Sequence, residues 1–597
     1  MARYSDFASS DEAVLVETDD FAIVYDKQNR AFRKKRWNSS TKSWTSAKAP
    51  YSAIVCKDGS TVWAENSEGK TIASGEAGVD DASVIQKAID IVPQNGIVKL
   101  VGEFIVKPRV WSDKTSRYYS LILKSHITLE GGKLIAEGSA PFTVIGTRCH
   151  VSDEDVYDVT IRNLVIDAQT KNPYVLDVIG LSGSGDNYCY RAVAEDIKIF
   201  GGKYYGITTA KAYYTRFSNI YVEGVKRGGF YIGAYSYNIK GENLTIKDVS
   251  GDPNSEPYPE GCGLGIMDGT TNVTLSNIHT INSAYQGVYL GTSHQVEING
   301  LIIDNTPTDS SQVSSAGICV TGTNEQVHIS NFLIRTPNTS DYAVKFRTTA
   351  DQYNIVFSNG HISKGYVYFE DQDYKCRHIK FDGIRFAVQN DAIVTDSDCV
   401  EGLFIENCYF GEVKRCAIKT IGSTYVFIKN NWIRATAEAD NTYDVIDISG
   451  CVHAWVIDNM IIGVKAARYG VNMDSSTNIA RIYRNNFFNV VNALNRVGSN
   501  LYIRQNRGYT TENSGTATFS GDGSTTDFEI GAHGLAITDP SKIVVKVSPV
   551  SSDAIAASPC VGYVDPADNT KIRVKFASAP ASGADNVKIV WEAQVIS

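Results

Sequence analysis

The sequence is organised by a repeated turn motif, in which an Asn or Asp separates two short runs of β-branched and aliphatic residues. Thirteen such turns are recognisable, centred on Asn163, Asp196, Asn219, Asn243, Asn277, Asn299, Asn331, Asn359, Asp382, Asn407, Asn431, Asn459 and Asn486. The shorter intervals between them are 22 to 25 residues, and the longest is 34. Self-similarity of this period, with occasional insertions, is typical of a parallel β-helix, in which three short strands and three turns form one coil.

Asn suits this position for two physical reasons. It tolerates the left-handed backbone conformation of a tight turn. When coils stack at the strand spacing of about 4.8 Å, its side-chain amide can also bond to the equivalent side chain of the next coil. Leucine-rich repeats share the period, but they need a Leu framework that this chain lacks.

The third strand of each coil is predicted to form one continuous face. In the coil of residues 272–291 the expected strands are 272–276, 278–282 and 287–291. Alternation directs Val288 and Leu290 inward and Tyr289 outward. Similar third strands, such as GFYIGAY and AVKFRTT, recur along the chain, so their outward residues should line one surface.

Three regions are expected. Residues 1–75 are predicted to form β-hairpins, 76–512 a β-helix, and 513–597 a small β-sandwich with alternating strands and polar turns. Residues 80–92 are predicted to form an amphipathic helix that caps the hydrophobic column, with Asp80 or Asp81 at its N-cap.

Composition excludes several partners. The chain has 57 Lys and Arg against 66 Asp and Glu, a net charge of −9, which argues against a nucleic-acid partner. No run of about 18 apolar residues predicts membrane insertion, and the polar N-terminus lacks the apolar core of a secretory signal. The 11 cysteines include no Cys-x-x-Cys, so buried thiols are expected rather than a metal site.

A family resemblance follows from the segment DDASVIQKAIDIVPQNGIVKLVGEFIV, the later LILKSHITLEGG and the Asn-turn coils. Over about residues 50–510 the chain resembles the pectate-lyase-like right-handed parallel β-helix superfamily, particularly phage and archaeal-virus tailspikes and polysaccharide depolymerases. The resemblance implies an all-β, right-handed solenoid, a polysaccharide substrate or receptor, a homotrimer, and a virion or extracellular location. The superfamily includes hydrolases, lyases, esterases and adhesins, so it does not choose among these activities.

Outward residues of the third strands are the predicted glycan contacts. Aromatic rings stack on the apolar faces of sugars, while charged groups bond to hydroxyls. The candidates are Tyr231, Tyr289, Lys345, Arg347, Tyr368, Lys419 and Asp447.

Two acidic clusters are catalytic candidates, because glycoside hydrolysis uses two carboxyl groups about 5 to 9.5 Å apart. Glu370 or Asp371 with Asp396 would lie about one strand spacing apart in adjacent coils. Alternatively, Glu260 in a long insertion would approach Asp268. No cofactor is expected, and the acidic stretches EDQD and TDSD are a weak calcium pattern.

The sequence therefore predicts a viral tailspike-like depolymerase that binds and cleaves a host cell-surface glycan, as a glycoside hydrolase or polysaccharide lyase. A non-catalytic receptor-binding adhesin or tail fibre is the alternative, and a cellular enzyme exported by another route is a third.

Overall fold

The protein is described here from a computed structural model. The structure gives four N-terminal strands by their backbone alone. Beyond them it describes residues 51–171, 173–251, 261–306, 315–347, 349–370, 373–395, 398–435, 442–463, 467–497 and 500–596. The chain divides into two compact units, Met1–Ile355 and Val356–Ser597. In the part described, no helix is both long and apolar enough to cross a membrane.

The first unit begins with antiparallel hairpins. Strands β1 to β4 (Glu12–Glu17, Phe21–Asp26, Ala31–Asn38, Ser43–Ala47) form one sheet. Strands β5 to β7 (Ala53–Asp58, Thr61–Asn66, Thr71–Glu76) pair with one another, and β5 continues into the solenoid by pairing with β8.

Helix α1 (Asp81–Ile91) follows β7 and buries the predicted apolar face, including Val84, Ile85 and Ile89. Asp81 is fully buried at its start, and its carboxylate accepts from Lys57 Nζ at 2.8 Å and from the Ile105 amide at 2.6 Å. These bonds attach the cap helix to the first coils.

The coils of the first unit are built from strands β8 to β29, with a 3-10 turn at Arg148–His150. Their bounds are Gly96–Val101, Glu103–Val106, Val110–Ser112, Arg117–Leu123, Ile127–Glu130, Lys133–Ala136, Phe142–Thr147, Val156–Tyr157, Val159–Asp167, Asp177–Gly180, Cys189–Tyr190, Val193–Phe200, Tyr205–Ala210, Ala212–Tyr213, Arg216–Glu223, Gly228–Gly233, Tyr237–Val249, Cys262–Ser283, Gln286–Asp304, Ala316–Ser330, Leu333–Arg335 and Tyr342–Arg347.

The third strands of successive coils pair in parallel register, and their inward side chains form the core. One inward column runs through Ile145, Ile179, Ile207, Phe230, Leu264, Val288, Ile318 and Val344. Every one of these side chains is fully buried. The same alternation turns the neighbouring residues outward, so the stack both fills the core and presents a continuous outer strip.

A column of glycines bends the third strands where they begin. At Gly206 an added Cβ would lie 2.6 Å from a Val222 methyl, and at Gly229 it would lie 2.2 Å from Ile246. In these coils the glycine therefore occupies an inward position that no side chain fits, and the residue before it points outward. That preceding outward column is Tyr205, Gly228, Cys262, Gln286 and Ala316, and it begins at Asp177, which pairs with Tyr205 but precedes Val178.

Six of the seven predicted turn residues of the first unit have the predicted left-handed conformation, whereas at Asn299 the left-handed residue is the following Gly300. Asn219, Asn243 and Asn277 have φ values of 55°, 56° and 55°. Their amides form an exposed ladder, with Asn243 Nδ2 donating to Asn219 Oδ1 at 2.9 Å and Asn277 Nδ2 donating to Asn243 Oδ1 at 3.1 Å.

The second unit has its own coils, formed by strands β31 to β48 after β30 (Gln352–Ser358), in which the division between the units falls. Their bounds are His361–Lys364, Tyr366–Glu370, Cys376–Asp382, Arg385–Gln389, Ile393–Thr395, Val400–Glu406, Tyr409–Val413, Ile418–Thr420, Tyr425–Lys429, Trp432–Ala435, Ile446–Asp447, His453–Ile457, Met460–Gly463, Tyr469–Asn472, Ile479–Tyr483, Asn486–Phe488, Asn492–Leu494 and Leu501–Arg504.

Four predicted turn residues of the second unit are placed differently from the prediction. The left-handed residues are Gly383, Asn430, Asp458 and Arg484, not Asp382, Asn431, Asn459 and Asn486. Asn431 and Asn459 are instead buried just after the turn, where their side chains bond to neighbouring coils. In the pairs Asp382–Gly383, Asn430–Asn431 and Asp458–Asn459 both members suit a turn, which explains three of these errors.

A small antiparallel module ends the chain. Strands β49 to β54 (Glu512–Gly521, Asp527–Ala532, Ile543–Pro549, Cys560–Val564, Lys571–Phe576, Gly583–Val595) form two three-stranded sheets, with short helix α2 at Ser552–Ala556 and a 3-10 turn at Pro540–Lys542. Its core includes Ile572, Val574 and Ile589. The predicted all-β class, a parallel β-helix with an N-terminal helix and a small C-terminal β-module, is confirmed.

Candidate functional site

A cavity of about 760 Å³ lies on the outer face of the third strands in the first unit. Its charged residues are three arginines and two aspartates among the described residues, namely Arg117, Arg227, Arg347, Asp177 and Asp268. Tyrosines and small polar residues provide most of the remaining wall, including Tyr119, Tyr204, Tyr205, Tyr231, Tyr289, Thr143, Ser182 and Thr208.

Strand register explains how distant residues reach this wall. Tyr231 and Tyr289 belong to one outward column, which runs Gly180, Thr208, Tyr231, Gly265, Tyr289, Cys319 and Lys345. Asp177 and Tyr205 belong to the column that precedes the inward glycines. The two columns run side by side, so one cavity spans several coils.

Asp177 is the enclosed carboxyl group of the cavity. Its side chain is 14% exposed, and Arg117 Nη1 donates to its Oδ2 at 2.5 Å. Enclosure raises the pKa of Asp177 above its usual range, although Arg117 and Arg227 both act to lower it. A carboxyl group with a perturbed pKa in a cavity is a candidate for proton transfer.

Arg227 faces the ring of Tyr204, with its guanidinium carbon 3.9 Å from the ring centroid. This cation–π geometry orients a planar group that has several N–H donors.

His150 forms part of the same wall and is 6% exposed. Its ring stacks on Tyr119 at 5.0 Å, and its Nδ1 lies 3.2 Å from the Thr147 amide nitrogen. Burial lowers the pKa of His150 to about 4, so the imidazole is neutral at neutral pH. Burial also raises the pKa of Tyr119 to about 12, so its hydroxyl keeps its proton and donates to Thr115 Oγ1 at 3.1 Å.

Asp268 lines the cavity from an exposed, left-handed turn, with φ of 57°. The Tyr231 hydroxyl donates to Asp268 Oδ2. Tyr231 in turn contacts the Tyr205 ring, with centroids 5.2 Å apart and ring planes inclined by 40°.

Four of the sequence candidates are therefore brought together, namely Tyr231, Tyr289, Asp268 and Arg347. Lys345 is not among the lining residues; it is buried (4% exposed), and its ammonium lies 4.8 Å from the Tyr342 ring centroid.

The other candidates are not part of this cavity as described. Tyr368, Glu370, Lys419 and Asp447 belong to the second unit, where Asp447 accepts from Ser449 Oγ at 2.6 Å. Glu260, Asp371 and Asp396 lie outside the described residues, so the proposed carboxylate pairs stay predictions.

Sequence reasoning missed Asp177, Arg117, Arg227 and His150. For Asp177 a signal existed, because the segment VLDVIG matches YYGIT in the next coil and places Asp177 opposite Tyr205. The arginines and His150 lie outside the recurring strand positions, so periodicity carried no information about them.

Among the described residues, no group of three His, Cys, Asp or Glu side chains is placed to hold a metal ion. The two acidic stretches of the predicted calcium pattern lie partly outside those residues.

No protein-family model matches the sequence, and no curated protein sequence matches it. Among solved structures, the chain is similar to a mutant tailspike protein of Escherichia coli bacteriophage HK620 in complex with a pentasaccharide, at 12% identity, covering 89% of this chain and 92% of that chain, with a TM-score of 0.44. It is also similar to the A-module of the Azotobacter vinelandii mannuronan C-5 epimerase AlgE6, at 13% identity, covering 72% and 96% of the two chains, with a TM-score of 0.30. These similarities concern the fold, which the strand register establishes independently.

Proposed function

We propose that the protein binds a host cell-surface polysaccharide in the cavity of the first unit and cleaves it. One observation carries the proposal: tyrosines, arginines and an enclosed carboxyl group with a raised pKa converge on a single cavity along a stacked strand face. Convergent polar groups and a perturbed acid in the main cavity mark a candidate active site.

Glycan recognition is supported by the composition of the wall. Aromatic side chains offer apolar surface to sugar rings, and the surrounding hydroxyl and guanidinium groups match sugar hydroxyls. A cavity that spans several coils extends along the solenoid axis, which suits a linear polymer better than a single small molecule.

Asp177 is the proposed proton donor for cleavage. Its enclosed carboxyl group keeps a proton at higher pH than an exposed Asp does, and a general acid can pass such a proton to the oxygen of a leaving sugar. Arg117 positions this carboxyl group through the 2.5 Å contact.

A non-catalytic adhesin is the second candidate, and carboxylate spacing favours it. Asp177 and Asp268 are the carboxylates that line the cavity among the described residues. Asp177 is three strand pairings away from the strand of Asp268, or about 14 Å at the usual spacing. That separation exceeds the range for a glycosidase pair, about 5 to 9.5 Å.

Incubation with host polysaccharide, followed by reducing-end and 232 nm absorbance measurements, distinguishes the activities. New reducing ends without absorbance indicate a hydrolase, and both signals together indicate a lyase. Binding without either signal contradicts cleavage and supports the adhesin.

Asp177→Asn should reduce cleavage at least about 100-fold, the usual scale of general-acid catalysis, while changing polysaccharide affinity less than about threefold. Asp196→Asn, at an exposed ladder position, is the matched control and should keep full activity. Unchanged cleavage in Asp177→Asn would remove Asp177 from the mechanism.

We also propose that the protein acts as a homotrimer on a virion. Sedimentation equilibrium should then report three times the chain mass of 65.2 kDa.

A further inference from the structure

The charge of the cavity differs in sign from that of the chain. The chain carries a net charge of −9. Among the described residues, the cavity instead has three guanidinium groups and two carboxyl groups. A concave surface with one excess sign of charge concentrates ligands of the opposite sign.

Two of the three guanidinium groups lie near Asp177. Arg117 donates to its carboxylate, and Arg227 acts on it through charge. The buried His150 ring adds no charge at neutral pH. Asp268, by contrast, is exposed, and the Tyr231 hydroxyl donates to it.

Two polar atoms near Asp177 are buried without a hydrogen-bond partner among the described residues. They are Nε of Arg117 and the hydroxyl oxygen of Thr143, a residue that is 1% exposed. Both residues line the cavity. Buried polar groups are nearly always paired in folded proteins, so a guanidinium N–H and a hydroxyl left over beside a cavity indicate a ligand with acceptor oxygens.

We propose that the cavity selects a polysaccharide whose repeating unit carries a negatively charged substituent, and that Arg117 and Arg227 bind this substituent. The proposal rests on glycan binding at the same cavity. A planar guanidinium makes paired hydrogen bonds to carboxylate, sulfate and phosphate oxygens alike, so the shared chemistry is an anionic oxygen group on a sugar.

The first experiment is binding of the full chain to an array of acidic and neutral bacterial polysaccharides. Preferential binding of acidic glycans is expected, with separate uronate-bearing, sulfated and phosphorylated members identifying the substituent. Binding confined to neutral glycans would overturn this inference and leave glycan binding intact. Binding to none would overturn the proposed function itself.

The second experiment compares an acidic glycan selected by the array with a neutral version of the same chain, for example a uronate polymer whose carboxyl groups have been reduced to alcohols. Neutralisation should weaken binding to the native protein at least tenfold. Arg227→Gln should weaken binding of the acidic form at least tenfold and of the neutral form less than threefold.

Arg216→Gln removes the same charge at an exposed position on strand β22, outside the cavity lining, and should change neither affinity more than twofold. Arg227→Lys retains the charge and should bind the acidic glycan more tightly than Arg227→Gln does, which separates charge recognition from misfolding. Equal losses for the acidic and neutral forms in Arg227→Gln would contradict the proposal.

Discussion

At the scale of single residues, enclosure decides the chemistry of the site more than residue type does. Asp177 and Asp268 are both aspartates that line one cavity. Asp177 lies beside two arginines with its side chain 14% exposed, and its pKa is raised, whereas Asp268 is on an exposed turn. Enclosure therefore gives Asp177 a perturbed carboxyl group that its residue type alone does not indicate.

His150 predicts a specific pH dependence of stability. Its pKa is about 4 in the folded protein and about 6.5 in the unfolded chain. As the pH falls from 6.5 to 4, the unfolded chain takes up a proton that the folded protein does not. The free energy of unfolding should therefore fall by about 3 kcal/mol from this residue, and its contribution should be intact above pH 6.5.

Urea denaturation of His150→Gln between pH 7 and pH 4 measures this contribution. The variant should lose less stability on acidification than the native protein does. His328→Gln, at an exposed position, serves as the control and should follow the native pH profile. Identical profiles for the native protein and His150→Gln would show that His150 does not remain neutral when folded.

At the scale of elements, Asn side chains form two kinds of hydrogen-bonded ladder. In the first unit, exposed Asn side chains connect turns on the outside of the coils. In the second unit, Asn431, Asn459 and Asn485 are buried, and each side-chain amide donates to the Asn of the next coil at 2.9 to 3.1 Å. Water does not compete for the buried bonds, so this buried, inner ladder should contribute more to stability than the exposed ladder does.

Asn459→Ala tests the inner ladder. The substitution leaves the Ile428 carbonyl without the amide that bonds to it at 2.9 Å, and it removes the acceptor of two Asn431 N–H groups. Each unpaired buried group costs about 1 to 3 kcal/mol, so the free energy of unfolding should fall by about 3 kcal/mol or more.

The control is Asn407→Gly in the exposed ladder, where glycine tolerates the φ of 55°. It removes two exposed hydrogen bonds, one to Asp382 and one from Asn430, and should cost about 1 to 2 kcal/mol because water replaces the lost partners. Equal destabilisation by the two substitutions in chemical denaturation would contradict the distinction between the ladders.

At the scale of the whole molecule, stacking converts a local repeat into a functional surface. Each third strand of the first unit presents outward residues at the same register positions, and the cavity lies where these positions carry Asp177, Tyr205, Tyr231 and Tyr289. Replacing the residue of one coil thus changes one subsite while the neighbouring coils keep the scaffold.

The C-terminal module should fold by itself. Residues 512–597 contain both three-stranded sheets and the buried residues between them. At about 0.05 to 0.15 kcal/mol per residue, its free energy of unfolding should be about 4 to 13 kcal/mol. The segment expressed alone should give a cooperative thermal transition and dispersed amide resonances, and a chain without either would contradict its independence.

Much of the fold was predictable because its determinants are local. Asn219 and Asn243 mark left-handed turns, and alternation around Tyr289 distinguishes the inner from the outer face, without knowledge of any distant partner. Errors occurred where two adjacent residues suit the same turn, as with Asn430 and Asn431. Only burial distinguishes such neighbours, and burial is a property of the stacked coils.

The sequence alone determined the parallel β-helix, its repeat and the candidacy of Tyr231, Tyr289, Asp268 and Arg347, because period, turn conformation and alternation depend on neighbours in the chain. The tertiary structure alone decided that Arg117, Asp177 and Arg227 meet. These residues are separated by 60 and 50 positions, with insertions of different length between them. Their proximity depends on coil register, and the raised pKa of Asp177 depends on the enclosure that register creates.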